Sequence, residues 1–177
     1  MFMGSWLPSD LPPGPQQLTM VREGLPSVKT LQIPVTTSAQ PGIFPLNSVT
    51  PPQGAVRIAS TGAIAAPAGS WPGSAPAKAG ADYIEIYCTG LGPVSNSPEY
   101  GVPAAGGSLV SETLTKPVVT IGDAPATVTF SGLSPGSVAL YQVDALVPAE
   151  VAAGDAVPVV LQMPGGAKAN TVTIAVQ

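Results

Sequence analysis

The 20 glycines and 22 prolines of this chain stand between short apolar runs, and neither residue sits well in a helix interior. They do not recur at the period of three that a collagen triple helix requires. The intervening text is β-branched or alternates apolar with polar residues, and it is bounded by Gly, Pro, Asn or Asp, the pattern of strands and turns. Strands are predicted over residues 17–23, 28–35, 55–59, 82–89, 117–121, 126–130, 138–147, 157–163 and 171–176, and no segment carries the apolar period of an amphipathic helix. In the run from Asp82 to Thr89, Ile84, Ile86 and Cys88 fall on one face and Tyr83, Glu85 and Tyr87 on the other, so the aliphatic face is predicted to point into a core. Gly122-Asp123-Ala124-Pro125 reads as a hairpin connection between antiparallel strands.

Hydrophobic residues make up 45% of the 177 and charged residues 9%, a balance that excludes ordinary disorder and implies a buried core. The net charge of -4 is scattered, with no cluster of Lys or Arg, so nucleic-acid binding is not expected. No apolar run is long enough for a membrane-spanning helix. The start lacks the basic-then-apolar layout of a signal peptide. One cysteine, Cys88, allows no internal disulfide, and the chain contains no histidine, the commonest general base and transition-metal ligand. No cofactor is implied.

Two stretches resist strand assignment, residues 60–81 and 90–116. Loops of that length are usually functional or mobile, and their small, weakly charged composition favours mobility. The two ends of the chain also repeat one another. Leu7-Pro8-Ser9-Asp10 is like Val147-Pro148-Ala149-Glu150, Gly14 falls on Gly154, and after a slip of one residue Thr30-Leu31-Gln32-Ile33 falls on Thr171-Val172-Thr173-Ile174. Such self-similarity belongs to arrays of modules. Residues 1–36 are accordingly read as a leader, Met1-Phe2-Met3-Gly4-Ser5, followed by the last hairpin of a preceding module, and residues 37–177 as a complete Ig-like sandwich. An orphaned hairpin has edges to cover, so self-association through it is expected, together with contacts to neighbouring domains of a larger parent protein.

Several ordered motifs carry a family resemblance: Tyr87-Cys88-Thr89-Gly90-Leu91-Gly92-Pro93-Val94, Val119-Thr120-Ile121-Gly122, Phe130-Ser131-Gly132-Leu133-Ser134-Pro135-Gly136 and Leu140-Tyr141-Gln142-Val143. Pro41-Gly42-Ile43-Phe44 precedes them and Val172-Thr173-Ile174-Ala175-Val176-Gln177 closes the chain. From about Pro8 onward the sequence resembles the Solibacter-type C-terminal domain, found at the ends of large bacterial secreted or surface proteins. The resemblance implies an all-β, Ig-like antiparallel sandwich in an extracellular or cell-surface parent, and no established enzymatic activity. The sequence departs from the family at Asp144, where Asn is commoner.

Candidate chemistry is thin. Cys88 is the one nucleophile of thiol type, but without a histidine the simpler reading is a small buried hydrophobe facing Ile84 and Ile86. Tyr141 with Gln142 could form a sugar-binding platform; a buried ring with its hydroxyl tied to the backbone is the commoner fate of such a tyrosine. Trp71 and Trp6 lie in Pro-rich text and are further ligand candidates. Asp144, Glu150 and Asp155 flank the Pro148 turn and are the candidate metal ligands, although their spacing is unlike a calcium loop and solvated loop charges are the simpler reading. Asp82 with Glu85, or Glu99 with Glu112, could be written as a glycosidase pair. Gly90-Leu91-Gly92 does not lead into a helix, so it is not a dinucleotide fingerprint. The leading expectation is a noncatalytic structural or adhesive module. The alternatives are a weak hydrolase of activated esters using Cys88 or a carboxylate, suggested by the look of a cloned fragment from an activity screen, and a carbohydrate-binding module.

Overall fold

A computed structural model describes residues 11–20, 29–36 and 38–177, with the side chains of residues 20 and 29 outside the description. Trp6, Asp10 and parts of the predicted strands 17–23 and 28–35 lie outside it. The described strands are β1 (Gly14–Met20), β2 (Lys29–Val35), β3 (Gly42–Ile43), β4 (Val56–Ile58), β5 (Tyr83–Thr89), β6 (Val118–Ile121), β7 (Ala124–Leu133), β8 (Tyr141–Leu146), β9 (Gly154–Gln162) and β10 (Val172–Val176), with one 3-10 turn at Gly107–Leu109. All pairings between them are antiparallel. The architecture is an all-β, Ig-like antiparallel sandwich, of which alternation predicts the sandwich and the resemblance the Ig-like type, drawn nearly into a barrel, plus a separate two-stranded hairpin of β1 and β2.

One sheet runs β10-β9-β6-β7 and the other β7-β8-β5, with β3 and β4 in line along the outer edge of β5. β7 belongs to both. Its first residues, Ala124 to Ala126, pair with β6, and from Thr127 onward it pairs with β8. A bulge between Val128 and Phe130 follows just after the change of partner; an extra residue bends a strand and increases its twist, which helps carry it round a sandwich corner. The β6–β7 connection is shorter than the sequence suggests. Ile121 pairs with Ala124, leaving only Gly122 and Asp123 in the turn. Gly122 has φ +60, at the first turn position that a II′ hairpin reserves for glycine.

The core lies between the sheets. Ile84, Ile86 and Cys88 from β5, Val143 and Ala145 from β8, Val119 and Ile121 from β6, Val159 and Leu161 from β9 and Val172 and Ile174 from β10 are all fully buried. At about 1.5–3 kcal/mol per large aliphatic side chain, this cluster is the main favourable contribution to folding.

The long stretches expected to be mobile are instead tied down by backbone hydrogen bonds. In residues 60–81, Ala65 and Ala77 flank β10: Ala175 N–H donates to Ala65, Ala77 N–H to Ala175 and Gln177 N–H to Ala77. Gln53 and Ala77 make parallel bridges to Thr173 and Val176, so the outer edge of β10 is covered and the barrel nearly closes. In residues 90–116, Thr113 N–H donates to Ser131, and Leu133 N–H to Ser111, which adds a short ladder to the free edge of β7. No hydrophobic period marks such segments, because what orders them is backbone pairing available to almost any sequence. Predicted residues 138–140 are not strand; Ala139 has φ +57 and makes the turn into β8.

Candidate functional site

Strand alternation that buries one face of β5 and β8 presents the other as a polar surface. On that outer face Arg57 of β4 pairs with Glu85 of β5, Glu85 pairs with Asp144 of β8, and Tyr87 pairs with Gln142. Side chains directly opposite on neighbouring strands have Cβ atoms about 4.5–5.5 Å apart. Two carboxylates are therefore held side by side, an arrangement that is unfavourable unless neighbours compensate.

The compensation is visible. The Tyr87 hydroxyl donates to Glu85 Oε2 at 3.0 Å, and Arg57 Nη1 donates to the same hydroxyl at 3.5 Å. Arg57 is steadied by an Nε–H bond to the Gly62 carbonyl at 3.1 Å. On the other strand Gln142 Nε2 donates to Asp144 Oδ1 at 2.8 Å, while its own Oε1 accepts from the Ser134 hydroxyl at 2.9 Å. Partial burial raises the Asp144 pKa, the Gln142 bond lowers it, and the charge on Glu85 raises it. Burial likewise raises the Tyr87 pKa, helped by Glu85 and opposed by Arg57. A carboxyl with a raised pKa beside another carboxylate is a pattern shared with acid–base sites. Here, however, the pair lies on a sheet face. A hollow of about 610 Å³ is lined by residues 122–125, 150–154 and 156–158, and neither Glu85 nor Asp144 lines it.

Asp144 and Gln142 thus fall in one cluster, whereas the other candidates are dispersed. Glu150 lines the hollow and Asp155 is exposed on β9. Among the described residues no group of three metal-ligating side chains comes together. Cys88 is free and fully buried, and burial pushes its thiol pKa up to about 12. Tyr141, its cross-strand partner, packs its ring against the core, and its hydroxyl donates to the Gly92 carbonyl. Its pKa is raised by burial, with a contribution from Cys88. Trp71 lies in a turn where its backbone N–H donates to Ser74 Oγ at 3.1 Å. Asp82 accepts from the Lys78 N–H at 2.8 Å and closes a turn. Gly90, with φ +74, lies so close to Gln40 that an added Cβ would fall 1.9 Å from the Gln40 carbonyl oxygen. Its glycine serves chain packing.

Arg57 is the member of the cluster that sequence reading passed over. The outward position of Glu85 and Tyr87 was readable from alternation, and β4 falls within the predicted strand 55–59, but its pairing against β5 was not readable, since cross-strand register leaves no local mark. The register of β5 against β8 likewise brings together residues far apart in the chain. Compared with known proteins, the chain matches no family model, no curated protein and no solved structure.

Proposed function

We propose that this sandwich is a noncatalytic structural or adhesive module of a larger extracellular bacterial protein, as its resemblance to the Solibacter-type C-terminal domain implies. The observation that carries the noncatalytic part is the fate of its most reactive side chain. The Cys88 thiol is fully buried with its pKa pushed up to about 12, whereas a nucleophilic thiol needs a lowered pKa and an approach for substrate. The chain offers no histidine to activate it. Tyr141 is held by Gly92 and the core, and Gln142 by Ser134 and Asp144. The test is turnover of a chromogenic ester by the full chain and by Cys88→Ala. Equal background rates are expected; activity in the parent that Cys88→Ala or Asp144→Asn abolishes would overturn the reading.

A second reading, carbohydrate recognition, is favoured by the outer polar face. Arg57, Tyr87, Glu85 and Asp144 place donors, acceptors and one aromatic ring on adjoining strands, the groups with which hydroxylated ligands are bound. Binding on a glycan array that Tyr87→Ala removes would establish it, and an array without hits would dispose of it.

A further inference from the structure

The hairpin of β1 and β2 is two-faced. Its register places Leu18 opposite Leu31, Gln16 opposite Ile33 and Gly14 opposite Val35 on one side, and Gln17 opposite Gln32 and Thr19 opposite Thr30 on the other. The Thr19 and Thr30 hydroxyls bond across the strands at 3.1 Å. Apart from Gln16 the first side is apolar, yet Leu31 is 36% exposed and none of Leu18, Leu31, Ile33 and Val35 belongs to the core cluster.

The same pairings occur a second time in the molecule, with the apolar side covered. In the β9–β10 hairpin Val159 pairs with Val172, Val157 with Ile174 and Gly154 with Val176. With the slip of the repeat placed between Gly14 and Gln16, these are the positions of Leu18 and Leu31, Gln16 and Ile33, Gly14 and Val35. The one-residue slip between the two copies has a structural location. β9 takes three steps from Gly154 to Val157 while β10 takes two from Val176 to Ile174, a bulge that β1 lacks. Val159, Val172 and Ile174 are fully buried in the sandwich.

We infer that the apolar face of β1–β2 is an interface for a sandwich of this same type that lacks its own last hairpin, with β1–β2 taking the place of β9–β10. In that seat β1 pairs with the equivalent of β6, which here holds β9 through Ile121 opposite Val159 and Val119 opposite Leu161. β2 takes the edge that residues 52–54 and 65–77 supply to β10. Gln32 and Thr36 keep N–H groups at the positions of Thr173 and Gln177, which donate to Pro52 and Ala77; Pro34, at the position of Ala175, gives up the bond to Ala65. Leu31, Ile33 and Val35 fill the positions of Val172, Ile174 and Val176, and Leu18 that of Val159, so these core contacts are conserved in kind; Gln16, at the position of buried Val157, is the polar exception.

The experiment compares amide exchange at residues 31–35 in the 177-residue chain with exchange in the same chain carrying residues 39–146 fused ahead of Leu7. The fusion supplies a sandwich with its last hairpin missing. Slowing by about 100-fold or more is expected, since burial in a core moves an amide from local to global opening. Ile33→Asp should restore fast exchange in the extended chain and change nothing in the 177-residue chain. A third chain, with the complete residues 39–177 placed ahead, should leave residues 31–35 fast because the seat is already filled. Unchanged exchange in the first fusion overturns the inference, as does equal slowing behind the complete sandwich. Protection that instead grows with concentration in the 177-residue chain would assign the face to a second copy and overturn it as well.

Discussion

Cys88 and Asp144 show how burial sets the chemistry of single residues in this fold. The Cys88 thiol should not react with an aromatic disulfide reagent at pH 8 until denaturant unfolds the chain, and a fast native reaction would contradict its burial. Because its folded pKa is raised, its thiol form supports the fold up to its ordinary value of 9.0, and that support is lost as pH climbs from there toward about 12. Cys88→Ala leaves a small cavity and should cost about 1–2 kcal/mol in denaturant melts. Asp144 also has a raised pKa, so its ionised form is the one disfavoured by folding. Asp144→Asn, which retains an oxygen to accept from Gln142, should raise Tm at pH 7, with the gain fading as pH falls to the ordinary carboxyl value of 3.8. A gain that grows on acidification would reverse the assigned sign.

Among the elements, the smallest hold the sandwich shut. β3 has two residues, and its Ile43 is gripped by the Asn170 side chain: Ile43 N–H donates to Asn170 Oδ1 at 2.9 Å and Asn170 Nδ2 donates to the Ile43 carbonyl at 3.0 Å. The amide acts as a piece of strand joining positions 127 residues apart. Asn170→Ala leaves a part-buried donor and acceptor without partners and should cost about 1–3 kcal/mol; a melt within 0.3 kcal/mol of the parent, about the noise of such measurements, would remove Asn170 from the closure. The long strands were legible from alternation, and the burial of Ile84, Ile86 and Cys88 follows it residue by residue. β3, the continuation of β7 through Ser131 to Leu133, and the ladder at Ser111 to Thr113 were not. Each depends on a partner distant in sequence, and a segment of two or three residues has too few positions to display a period.

For the molecule as a whole, covered edges and an uncovered hairpin predict an order of opening. Backbone amides at Ala65, Ala77 and Ala175 are bonded within the closed barrel and should exchange with the core, whereas those of β1 and β2 should exchange first, because a lone two-stranded hairpin is marginal in water. Residues 65–77 exchanging as fast as the hairpin would mean that the barrel edge is not held. Local sequence determined the all-β class, the antiparallel hairpins and the inward face of each long strand, because alternation and turn residues act over a few neighbours. Tertiary structure alone decided that residues 60–81 close the barrel and that Arg57, Glu85, Tyr87, Gln142 and Asp144 meet on one surface. Those outcomes rest on backbone bonds and cross-strand registers between distant segments, which leave no periodic mark on the residues that make them.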